Sequence, residues 1–143
     1  MVATEIIEAY KKTKYTAENG ITLLIDAQSY ELDKLLKTSG LKSAIYITAW
    51  NPFSKMKSSD QNNKMTKLLK SDLMMMVSEE NIIDGFGEDS TGQWPGEESF
   101  LVLGIFKEQG VNLSEKYGQN AFVYYELDSK TELILTIRKQ ETN

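Results

Sequence analysis

The sequence predicts an α+β (or α/β) fold: one layered domain over residues 1–143, a mixed β-sheet with helices packed on it. Three observations lead there. Short apolar runs rich in β-branched and aromatic residues, such as SAIYITA at 43–49 and SFLVLGIF at 99–106, have the composition of buried strands. Segments with apolar residues at helical spacing stand between such runs. Turn signals separate the two kinds, and no internal repeat or linker divides the chain.

The first helix is expected over Thr4–Lys12, where Ile6, Ile7 and Tyr10 have helical spacing. Lys14–Glu18 and Ile21–Asp26 read as strands joined at Asn19-Gly20, a pair that tolerates the positive φ of a tight hairpin turn. Tyr30–Thr38 reads as a helix with Leu32, Leu35 and Leu36 on one face, stopped by Gly40. Ser43–Ala49 is then a central strand. After a loop containing Asn51-Pro52, Ser58-Ser59 with Gln61 or Asn62 three residues on has the form of a capping box. The helix it opens runs to about Val77, with Met65, Leu68, Leu69, Leu73 and Met76 on its buried stripe and Met74 and Met75 as core filler. Ile82–Phe86 reads as a strand. Gly85–Glu98 (GFGEDSTGQWPGEE) has no periodicity and reads as a long loop, functional or disordered. Ser99–Phe106 is a buried strand, and Leu113–Tyr117 a short helix capped by Asn112 and stopped by Gly118. Asn120–Leu127 and Glu132–Arg138 close the chain as a hairpin.

Composition excludes much chemistry. The chain has no cysteine, so thiolate nucleophiles, disulfides and zinc–sulfur sites are out. It has no histidine, which removes Ser-His and Cys-His catalysis and the commonest transition-metal ligand. Any catalysis must use carboxylates, lysine, tyrosine, or hydroxyls that these activate. The start, MVATEIIEAYKK, lacks the basic-then-apolar order of a signal peptide, and no apolar run approaches the ~20 residues that span a bilayer. The expectation is a cytoplasmic protein without a membrane partner.

Net charge is −5, and Arg138 is the only arginine among 16 basic residues. That balance argues against duplex nucleic acid, which favours arginine at guanine and phosphate. Residues 55–70 hold five lysines (Lys55, Lys57, Lys64, Lys67, Lys70) against Asp60, whereas residues 71–106 hold eight acids and no base. The split describes either two solvated faces or a polarised cleft or dimer contact. Asp84, Glu88, Asp89, Glu97 and Glu98 would suit Mg²⁺ or Ca²⁺, but their spacing is not that of an EF-hand, so no metal site is expected. Gly85 and Gly87 are no dinucleotide fingerprint, since Ser90 stands where a third glycine is needed. No cofactor follows from the sequence.

Several motifs together resemble the bacterial family of unknown function DUF3293. They are Tyr10-x-x-Thr13-x-Tyr15; Thr48-Ala49-Trp50-Asn51-Pro52 with Ser54; Asn63; Trp94-x-x-Glu97-x-Ser99 running into LVLG; and Tyr117-Gly118-Gln119-Asn120-Ala121. The resemblance covers almost the whole chain and implies a fold and a candidate site, but no reaction. It departs from the family pattern at Lys55 and Lys64, where arginine is frequent. Lysine would hold the same anion less specifically.

The candidate site gathers these residues. Trp50, Asn51 and Ser54 follow the carboxyl end of a central strand, where ligands bind in open sheets, and the next helix N-terminus points N–H groups there. The alternative is an Asx-Pro turn in which Asn51 bonds its own backbone and Trp50 is core. Asn63 and Lys64 fall in the first turns of that helix, where Asn63 faces either a ligand or the Asn51 loop. Trp94 and Glu97 precede a buried strand. Buried against Trp94, Glu97 would have a raised pKa and serve as the catalytic acid or base; the alternative is a carboxylate that pins the loop. Gln119 supplies an amide to the pocket or to loop backbone. The leading expectation is a pocket for a small polar or anionic molecule, nucleotide- or phosphate-like, lined by the lysines. The alternative is a non-catalytic interaction or regulatory module, homodimeric in one form. Binding of single-stranded nucleic acid through the lysine helix is a third reading, against which the acidic balance counts.

Overall fold

In the computed structural model, which describes residues 4–51, 55–89 and 96–136, the elements follow the expected order. They are α1 (Thr4–Lys12), β1 (Thr13–Ala17), β2 (Thr22–Leu23), α2 (Tyr30–Ser39), β3 (Ser43–Thr48), α3 (Ser59–Met74), β4 (Ile82–Asp89), β5 (Glu97–Leu103), α4 (Lys107–Lys116), β6 (Ala121–Glu126) and β7 (Glu132–Leu135). The strands form one seven-stranded sheet, ordered β2-β1-β4-β5-β3-β6-β7, and the architecture is α+β. The sheet is not mixed, as the sequence reading had it: every neighbouring pair runs antiparallel. The connections explain why. α3 joins β3 to β4 and α4 joins β5 to β6, and in both cases one antiparallel strand lies between the joined pair. A helical crossover therefore never sets parallel strands side by side, and element order alone does not distinguish the two cases.

The period-two alternation of β3 divides the core. Ile45 and Ile47 pack with Leu69 and Leu73 of α3 and Leu113 of α4. Ala44 and Tyr46 pack on the opposite face with Leu32 and Leu36 of α2. Both faces are covered, which is why Ser43–Thr48 shows no polar alternation. The helix ends are capped as their sequences require. Ser29 Oγ accepts from the Leu32 N–H, and Gly40 (φ 71°) closes α2. Ser58 and Gln61 form the reciprocal capping box of α3.

Several elements depart from expectation. α3 touches only one sheet face, so its buried stripe is narrow: Asn62, Thr66, Leu69 and Leu73. Leu68 is exposed, and Met74, Met75 and Met76 are surface residues at 49, 86 and 37% exposure rather than core. Much of the supposed Gly85–Glu98 loop is strand, because β4 runs on to Asp89 and β5 starts at Glu97. α4 begins six residues before the expected Leu113, at Lys107, where the Phe106 N–H donates to Gln109 Oε1 at 2.8 Å.

Asp33 ties α2 to the β6–β7 turn. It is 4% exposed. Its Oδ1 accepts from the Tyr125 hydroxyl at 2.9 Å and the Asp128 N–H at 2.8 Å, and its Oδ2 from Gln28 Nε2 at 2.8 Å. Burial alone would raise its pKa, but donation from Gln28, Asp128 and Tyr125, with the charge of Lys37, holds it below the ordinary value. Asp33→Ala leaves these buried donors unpaired and should cost about 2–4 kcal/mol in urea unfolding. Because the folded pKa is the lower one, this contribution is complete above the ordinary aspartate value and is lost as pH falls through the folded one. The acid limb of the wild-type stability profile should therefore flatten in the variant.

Candidate functional site

Strand register places three residues in one row across the sheet: Tyr15 of β1, Gly87 of β4 and Glu97 of β5. The adjacent row on the same face is Gly85, Ser99 and Thr48. Two glycines and a serine thus stand beside the rings of Tyr15 and Tyr46, with the Tyr46 ring lying over Gly85. The result is a cavity of about 190 Å³, walled by Tyr10 of α1, by Tyr15, Tyr46, Trp50 and Phe122, and by the polar groups of Asn51, Glu97, Ser99 and Gln119.

The walls are fixed. The Tyr15 hydroxyl donates to the Tyr10 carbonyl at 2.6 Å and the Tyr46 hydroxyl to the Thr16 carbonyl at 2.9 Å. Their rings meet edge to face with centroids 5.4 Å apart. The two glycines differ in role. A Cβ at Gly85 would stand 2.7 Å from the Tyr46 hydroxyl, so that position must be bare. A Cβ at Gly87 would stand in ordinary van der Waals contact, 3.8–3.9 Å from Tyr46, Ser99 and Tyr15, so a methyl fits there and a larger side chain would extend past it.

Asn51 sits at the mouth with φ 45°, a left-handed conformation that asparagine tolerates better than most residues. Its amide orientation follows from backbone groups. The Asn51 N–H donates to Asn62 Oδ1 at 2.9 Å, so the Asn62 amide turns Nδ2 toward Asn51 Oδ1, at 3.0 Å. Asn51 Oδ1 also accepts from the Lys57 N–H at 3.0 Å. Asn51 Nδ2 is left pointing at Glu97 Oε2, 3.4 Å away. Gln119, 8% exposed, holds the other side: its Nε2 donates to the Trp50 carbonyl at 3.0 Å and the Tyr117 carbonyl at 3.2 Å. The Trp50 Nε1–H is buried and has no acceptor among the described residues.

Desolvation by the cavity walls pushes the Glu97 pKa up from 4.5 to about 7, against the weaker opposing donation from Asn51. A carboxyl with one long hydrogen bond from the described residues is poorly compensated by them for leaving water. Tyr10, Tyr15 and Tyr46 face it from α1, β1 and β3.

Of the expected site residues, Trp50, Asn51, Glu97 and Gln119 converge on this one hollow. Asn63 and Lys64 do not: both are exposed on α3. The helix asparagine that bonds Asn51 is Asn62, one residue earlier and 2% exposed. Its signal was its place on the apolar stripe, four residues before Thr66 and seven before Leu69. No lysine lines the hollow among the described residues, which corrects the expectation of lysine walls. Ser54 and Trp94 lie outside the described residues. Tyr46, in the expected central strand, forms cavity wall as well as core, and Gly87 and Ser99 entered no sequence-based site.

Fold and site together define an α+β domain with an aromatic-walled hollow at the end of its central strands. Residues 47–122, just over half the chain, match the family described as Protein of unknown function (DUF3293), and the chain belongs to that family. The match includes Trp50, Asn51, Asn62, Glu97 and Gln119. Neither a curated protein nor a solved structure matches the chain. Among the described residues no helix is long and apolar enough to cross a membrane.

Two outcomes are expected. Asn62→Ala strips partners from the Asn51 backbone and side chain and should cost about 2–4 kcal/mol, whereas Asn63→Ala should stay within about 0.5 kcal/mol; chemical denaturation of the pair checks this. Glu97 should titrate by carboxyl NMR near 7. A folded pKa above the unfolded one makes stability fall as pH rises between those two values and level off beyond, and Glu97→Gln should abolish that fall.

Proposed function

We propose that the hollow is a binding site for a small polar organic molecule, and that Glu97 makes the deciding contact. The observation that carries the reading is a desolvated carboxyl, met by a locked asparagine amide, inside an aromatic-walled cavity. Walls of this kind take up flat or apolar parts of a ligand, and the few polar groups orient it. The lining favours a neutral or hydrogen-bond-donating ligand over the phosphate-like anion that the lysines first pointed to, since its charged group is an acid. Glu97 also has a pKa suited to moving a proton near neutral pH, so any acid–base chemistry in the hollow runs through it.

The test uses Gly87→Leu, whose side chain would enter space that a Cβ already reaches without conflict. A thermal-shift screen of small metabolites should yield compounds that raise the Tm of the wild type and leave the variant unmoved. A ligand at 100 times its Kd adds about 2.7 kcal/mol. Equal shifts in both proteins, or none in either, overturn the reading.

One observation favours a second reading, a contact between copies of the chain. Met74, Met75 and Met76 lie exposed together at the end of α3. Light scattering should then give a dimer that Met75→Lys dissociates, and a monomer for the wild type removes this reading.

A further inference from the structure

Resting on the reading of the hollow as a ligand site, the geometry points to its ligand class: we propose a small planar nitrogen heterocycle whose ring nitrogen and adjacent exocyclic amino group make a two-point hydrogen-bonded pair with the Glu97 carboxyl. Size, wall chemistry and polar pattern each contribute.

The cavity holds about 190 Å³. A cavity of roughly 150 Å³ takes one benzene ring. The hollow therefore suits one six-membered ring with substituents, or a compact fused pair. Tyr10, Tyr15, Tyr46 and Trp50 supply ring faces and edges, against which a flat π-system packs better than an alkyl chain.

The polar groups set the edge that such a ring must show. Glu97 Oε2 accepts from Asn51 Nδ2, and Oε1 takes no hydrogen bond from the described residues. A carboxyl in this setting holds its proton to about pH 7, so near neutrality it both donates and accepts. A donor beside an acceptor is complemented by an acceptor beside a donor, which is the edge formed by a ring nitrogen next to an amino group. An anion would meet the acid with no described cation in the lining, and a plain hydrocarbon would leave the carboxyl desolvated and unpaired.

Three size-matched probes separate the possibilities. 2-Aminopyrimidine carries the full edge, pyrimidine lacks the amino donor, and aniline lacks the ring acceptors. Calorimetry on the whole chain should show 2-aminopyrimidine binding at least about tenfold more tightly than either of the others. The Trp50 indole N–H resonance should move on binding, and Gly87→Leu should abolish it. This probe is neutral near pH 7 and needs the protonated acid, so its affinity should fall about tenfold between pH 6 and pH 8. Glu97→Gln keeps a donor and an acceptor and should bind without that pH dependence; Glu97→Leu, checked for folding by its melting curve, should not bind. If pyrimidine or aniline binds as tightly as 2-aminopyrimidine and Gly87→Leu blocks them all, the ligand class is wrong while the hollow remains a site. If no probe binds, or Gly87→Leu changes nothing, the inference is overturned together with the reading beneath it.

Discussion

The hollow depends on β3 and β5 being covered on both faces. Ile45 and Val102, paired across these strands, have no exposed surface. Strands so enclosed must satisfy every backbone group within the sheet, and antiparallel neighbours on each side of both do that. Polar side chains can then collect only where the strands run out. At that end the hydroxyls are turned back on the chain: Thr48 donates to the Glu98 carbonyl and Ser99 to the Glu97 carbonyl. Spent in this way, they stiffen the frame around Glu97 without compensating its carboxyl.

Three carboxylates show what that lack of compensation means. At Asp33, three donors and a nearby lysine outweigh desolvation and its pKa goes down. Asp72 accepts from Lys116 at 2.8 Å and from the Tyr117 hydroxyl at 2.5 Å, and these bonds lower its pKa too. Glu97 has a single donor among the described residues, at 3.4 Å, and goes up. The number and charge of the donors decide the direction, not burial alone. Asp33 and Asp72 fasten elements together; Glu97 is left available.

Much of the fold was legible because its signals are local. Asn19-Gly20, the Ser58/Gln61 box and Gly40 act within a few residues, and each marks its turn, cap or stop, although the hairpin loop also takes in Glu18 and β2 is only Thr22–Leu23 rather than Ile21–Asp26. The antiparallel arrangement was not legible, since the same order of elements serves strands that are neighbours or strands one place apart. The β4 extension was hidden because Gly85 and Gly87, on the cavity side, have no side chain with which to show alternation. α3 was misread on one side because a run of methionines looks apolar wherever it lies. At the site, Trp50, Asn51, Glu97 and Gln119 were visible as unusual residues beside strand ends. Asn62 was displaced by one position, a shift of about 100° around a helix, which moves a side chain from the sheet to the solvent. Gly87 had no signal at all, because a bare position in a cavity wall can be recognised only from the residues around it.

The asparagine pair has a consequence for what the hollow can recognise. A free amide can rotate and exchange its donor and acceptor ends to suit whatever arrives. Asn51 cannot, because its orientation is referred through Asn62 to main-chain groups whose roles never change. The pocket thus keeps a fixed sense of polarity at Glu97, and a guest in the wrong tautomer would find like facing like.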